Sequence, residues 1–94
     1  MAILTTMRIS GDPDELLRRK QEVIDPVARE LAQANGGIEH LVAKTEDGLL
    51  IVNLWENAEG MEKVAAEVGR KAREAGMAQP SDWHQYDLVQ RERP

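Results

Sequence analysis

The chain has no cysteine. That excludes a disulfide frame, a thiolate nucleophile and any cysteine-based metal site. Long apolar runs are missing as well. No stretch approaches the roughly 18 consecutive apolar residues of a membrane span. The first residues show no basic stretch followed by an apolar block, so no signal peptide is expected, and a soluble cytoplasmic protein is the expectation. There is no basic excess either. Lysine and arginine number 12 against 17 acids, a net charge of −5. Binding to nucleic acid or to an anionic membrane needs a basic stripe, and none is present. The basic cluster Arg18-Arg19-Lys20 lies among acids and reads as a solvated helix face. The two histidines, His40 and His84, form no helix-spaced ligand pair, so no metal is expected. Asp12, Asp14 and Glu15 read as helix-start charges rather than as a calcium loop. No internal repeat or low-complexity tract stands out.

What remains is a globular composition, 41% hydrophobic and 31% charged over 94 residues. That length makes one domain, residues 1–94, with a modest core that burial in an oligomer would help.

The chain is organised around residues 36–55, GGIEHLVAKTEDGLLIVNLW. Two runs of alternating polarity flank the acidic turn Glu46-Asp47-Gly48, a strong hairpin signal. In the first run, Ile38, His40 and Val42 share one face, and Leu41 and Ala43 the other. In the second, Ile51, Asn53 and Trp55 oppose Leu50, Val52 and Leu54. The uniformly aliphatic Leu50/Val52/Leu54 side is expected to lie under a helix. The mixed Ile51/Asn53/Trp55 side is expected to stay open and to line a cavity or meet a partner.

Around this hairpin the remaining elements fall in order. Residues 2–10 alternate as a strand, with Ile3, Thr5, Met7 and Ile9 opposite Leu4, Thr6, Arg8 and Ser10. Asp12 and Pro13 then suit an N-cap and first helical position. Apolar residues at helical spacing predict a helix from about Pro13 to Ala34, kinked or restarted at Asp25-Pro26 and stopped by Asn35-Gly36-Gly37. Asn57 caps a second helix over about residues 58–75, closed by Gly76. After a loop at 77–82, a last strand is expected from Trp83 to Gln90. The order β-α-β-β-α-β predicts an α+β, ferredoxin-like fold: an antiparallel sheet with two helices on one face.

The segment Ile51-Val52-Asn53-Leu54-Trp55-Glu56-Asn57-Ala58-Glu59-Gly60 is similar to the E-x-W-x-S segment of antibiotic-biosynthesis-monooxygenase-like proteins, where a strand tryptophan precedes a helix N-cap. The end segment Trp83-His84-Gln85-Tyr86-Asp87-Leu88-Val89 resembles the closing strand of that group. With the element order, these residues make the chain resemble the dimeric α/β-barrel superfamily. The resemblance implies a homodimer whose open sheet faces close into a barrel, with a ligand cavity in the barrel or between sheet and helices. Some members oxidise aromatic polyketides without metal or flavin, so no cofactor is implied. Others are cyclases, haem-degrading enzymes or proteins of no known reaction. The haem-degrading branch carries an asparagine on the first strand and a histidine on the second helix. This chain has neither, so haem degradation is not expected.

Six residues carry the candidate chemistry. Trp55 suits stacking on an aromatic ligand, and the Asn53 amide suits holding an oxyanion. Filling a dimer core is the alternative for this pair. His40, on the same face, suits proton abstraction from an acidic phenol or 1,3-dicarbonyl; a satisfied interface histidine is the alternative. His84 and Tyr86, two apart on the last strand, suit a base and a phenol donor, or else simple packing and exposure. Arg8 suits clamping an anionic ligand, or an inter-subunit ion pair. The expected function is cofactor-independent monooxygenation, or a proton-transfer cyclisation, of an aromatic or polyketide-like substrate. The alternative is a non-catalytic ligand-binding or accessory homodimer of the same fold.

Overall fold

β1, Ile3–Ser10, sits in the middle of the sheet. Alternation gives it one face for the helices and one away from them. A computed structural model describes residues 1–94. After β1, Asp12 caps α1, Pro13–Arg19, its carboxylate accepting from the Glu15 N–H at 3.0 Å. Such a cap contributes about 1 kcal/mol. The helix does not run straight into α2, Asp25–Ala34. A single π turn, Lys20–Ile24, joins them, with the Asp25 N–H bonded to the Lys20 carbonyl. The cause is Pro26: an α-helix through it would lose one backbone bond and press the ring on the carbonyl four residues back. The restart predicted at Asp25-Pro26 is there, and the wide turn accommodates it. Gly36 ends the segment with φ +80°, a conformation that suits glycine.

β2, Gly37–Lys44, and β3, Gly48–Trp55, form the hairpin about Glu46-Asp47-Gly48. Asn57 then caps α3, Ala58–Glu74, accepting from the Gly60 N–H at 2.8 Å. Gly60 has no alternative here, because a Cβ would lie 1.9 Å from the Asn35 carbonyl oxygen where the helices meet. The last strand, β4, Ser81–Asp87, starts two residues before and ends three residues before the expected Trp83–Gln90. The sheet order is β2-β3-β1-β4, antiparallel throughout. The ferredoxin-like expectation is therefore met.

The side to which each sheet face looks is the main correction. Trp55 is buried and packs with Ile3 of β1 and Met61 and Val64 of α3, flanked by Leu31 and Ala32 of α2. Each of these large side chains contributes roughly 1.5–3 kcal/mol by leaving water. So Ile51, Asn53 and Trp55 lie under the helices, and Leu50, Val52 and Leu54 face away. Pairing extends the outer face across the sheet: Leu54 opposes Leu4, Val52 opposes Thr6 and Leu41, and Leu4 opposes Tyr86. The physical reason is connectivity. α3 begins three residues after Trp55 and lays Met61 and Val64 over that indole, whatever the polarity of the face. A flat aliphatic row suits a second sheet as well as a helix.

Candidate functional site

The helices do not seal the face they cover. Between them and the sheet lies a cavity of about 580 Å³, within the size range of small-molecule pockets. Its walls are mostly apolar, with Met7, Ile9, Leu16, Ile24, Ile51 and Trp83 among them. Trp55 forms part of the wall, and its indole N–H donates to Thr5 Oγ1 at 3.3 Å, so that donor is used within the fold.

One side of the cavity is polar. Lys20 Nζ donates to Asp25 Oδ1 at 2.5 Å and lies 2.7 Å from His40 Nε2, while His40 Nδ1 lies 2.5 Å from Asn53 Oδ1. All four residues line the cavity. The hydrogen-bond inventory assigns the protons. An ammonium only donates, so Nε2 accepts, Nδ1 carries the hydrogen, and the Asn53 carbonyl receives it. His40 is thus held as the neutral imidazole in a single tautomer. Lys20 and Asn53 are buried, whereas His40 stands on an edge strand and is open to solvent. Every buried side-chain nitrogen and oxygen in the chain has a partner.

The expected site residues divide into two groups. His40, Asn53 and Trp55 come together at this cavity. Arg8, His84 and Tyr86 do not join them: pairing with Leu50, Thr6 and Leu4 puts all three on the outer face. There Arg8 lies 3.5 Å from Asp82, and His84 bonds the other oxygen of the same carboxylate at 2.8 Å. The His84 and Tyr86 rings stack with centroids 6.1 Å apart. Arg8 is therefore paired within its own chain, and a single site containing all six residues is ruled out. Strand alternation places Thr6 and Thr5 on opposite sides, and the partners of each follow.

Two residues of the cluster escape a reading of the sequence. Lys20 sits in what reads as a solvated basic run, and Asp25 reads only as a cap. The available signal is spacing: Leu16, Lys20 and Ile24 recur every four residues, which puts the lysine in an apolar stripe. No three His, Asp or Glu side chains gather as a metal site.

No protein-family model and no curated protein sequence matches the chain. Solved structures do. A dimeric ferredoxin-like protein from an uncultured marine organism superposes with a TM-score of 0.78 at 14% identity over 100% of both chains. A Deinococcus radiodurans protein assigned as an antibiotic biosynthesis monooxygenase gives 0.66 at 19% identity, over 100% of this chain and 98% of that one. SnoaB, a cofactor-independent oxygenase from Streptomyces nogalater, gives 0.58 at 11% identity, over 96% and 93%. At these identities the likeness establishes a shared fold. The family resemblance in the sequence is met at that level.

Proposed function

We propose that this chain is a small-molecule enzyme working without metal or flavin on an aromatic or polyketide-like substrate, by monooxygenation or by a proton-transfer cyclisation. The observation that carries the reading is the polar chain Asp25–Lys20–His40–Asn53 on one wall of an otherwise apolar cavity of about 580 Å³. A planar aromatic body fits between Trp55, Ile51 and the helices. His40 accepts the proton of an acidic C–H or O–H at Nε2, and Asn53 steadies the imidazolium by accepting from Nδ1. In the oxygenase version the resulting carbanion itself reduces dioxygen. One oxygen atom enters the product as a carbonyl and the other leaves as water. The shared fold with SnoaB, itself a cofactor-independent oxygenase, supports this version.

The outer face carries the second part of the reading, a homodimer. Leu4, Leu41, Leu50 and Val52 form an aliphatic patch, with Leu41 and Tyr86 more than half exposed in the single chain. A second copy is the natural cover, and the dimeric ferredoxin-like structure supports it. Arg8, His84 and Tyr86 then belong to the subunit contact rather than to catalysis.

Oxygen uptake tests the enzyme reading, with hydroxyquinols and aromatic 1,3-dicarbonyls as substrates. His40→Ala should lower the rate by about 10²–10⁴. His84→Ala should leave it unchanged. One observation favours the non-catalytic alternative: both His40 nitrogens are already hydrogen-bonded, as in a purely structural network. Ligand binding without turnover of any substrate in the series would establish that alternative.

A further inference from the structure

Lys20 is the one lysine buried in this chain, at 6% exposure. Its ammonium has three N–H bonds and uses two, toward Asp25 and His40. The π turn is what permits this. In an α-helix, residues five apart stand about 140° from each other around the axis. The i→i+5 closure over Lys20–Ile24 instead brings Lys20 and Asp25 into line. Single π turns inside helices recur at functional sites. A buried ion pair is a weak source of stability, because apolar side chains of similar volume often hold a fold as well or better. Besides Lys20, the charged groups around the cavity are Asp25, Glu39, Arg29 and Arg73; Glu39 pairs with Arg91, and the side chain of neither cavity arginine makes an ion pair.

We infer that Lys20 is the anion-binding group of this cavity, and that it holds the ionised oxygen of an aromatic phenol or enol. The inference rests on the small-molecule reading above and names the substrate's chemical class. The step balances as follows. The substrate O–H gives its proton to the Nε2 lone pair of His40. Lys20 leaves Nε2 and turns an N–H to the new oxyanion, while Asp25 keeps its own bond to the ammonium. One imidazolium and one phenolate form, so the net charge of the site does not change. The same motion frees the lone pair that the resting network occupies, which is how a doubly bonded histidine serves as a base.

Equilibrium binding of 4-nitrophenol in slightly acidic buffer tests this, because its phenolate is yellow and its phenol is not. The native chain should raise the yellow fraction. Lys20→Met should weaken phenolate binding at least about tenfold, the worth of a charge-assisted hydrogen bond. Loss of the lysine strands Asp25, so Lys20→Met/Asp25→Leu supplies a variant with no stranded charge and should show the same loss, with its fold checked by circular dichroism. His40→Gln should still bind the phenolate, the proton going to water. Equal phenolate binding by the native chain and the double variant would overturn the inference, as would no binding by the native chain or binding of the neutral phenol alone. Oxygen uptake abolished by His40→Ala, together with Lys20-independent phenolate binding, would sink this inference and spare the enzyme reading. Lys20-dependent binding without oxygen uptake would do the reverse for the oxygenase.

Discussion

The two faces of β3 have exchanged the roles their polarity suggests. The helix-covered face carries Thr5, His40 and Asn53 beside Trp55 and Ile51. The other face carries Leu4, Leu50 and Val52, with Thr6, Arg8, His84 and Tyr86 beside them. On β3 alone, the more apolar side is the one the helices leave uncovered. A covered face tolerates polar groups when they pair with each other, as Thr5 does with Trp55 and His40 with Asn53 and Lys20. A bare aliphatic face is tolerated only if something covers it later. The first face is therefore read as chemistry and the second as assembly.

The largest expected effect lies in the covered face. Trp55→Ala removes the indole between Ile3, Met61 and Val64, and should cost about 3–5 kcal/mol in denaturant unfolding. Leu41→Ala on the bare face should cost the isolated chain well under 1 kcal/mol, because half of that side chain is already wet. Comparable losses would erase the contrast.

Next in size is a charge on the bare face. Val52 lies between Thr6 and Leu41 at the middle of the patch. Val52→Asp would bury an unpaired carboxylate against the second copy, at a cost of about 3 kcal/mol or more. That corresponds to a dimer dissociation constant raised more than about 100-fold. Sedimentation should show the mass halve while phenolate binding at the cavity persists. Loss of binding together with the dimer would mean that the cavity needs both copies.

The order of elements, the hairpin, the two caps at Asp12 and Asn57 and the break at Pro26 were all legible in the sequence. Each rests on local chemistry: period-two alternation, short polar side chains, a missing N–H. The contents of each strand face were legible too, since alternation does not depend on the rest of the fold. Which face the helices cover was not, because that follows from how α3 folds back over Trp55 rather than from hydropathy. The candidate residues follow the same division: alternation brings His40, Asn53 and Trp55 to one cavity and sets Arg8, His84 and Tyr86 on the other face. Lys20 and Asp25 stayed hidden because a π turn changes which residues of a helix align.

The smallest expected effect lies far from both faces. Glu15 is held below the ordinary glutamate value, chiefly by the hydrogen bond from Arg18. A carboxyl lowered in the folded state contributes stability above its unfolded value and loses it as pH falls through the folded one. Arg18→Gln should move the Glu15 titration back up, read from its carboxyl carbon by NMR, with the cavity and the dimer unaffected. A shift at His40 in that variant would show that the helix surface and the cavity are coupled.

The chain has only two histidines, and the account puts one on each face. Their imidazole C–H signals, assigned with His84→Gln, can be followed while 4-nitrophenol is added and while the protein is diluted. The account predicts that the ligand moves the His40 signal alone and that dilution through the dimer dissociation range moves the His84 signal alone. A ligand that moves His84 and leaves His40 in place would contradict it.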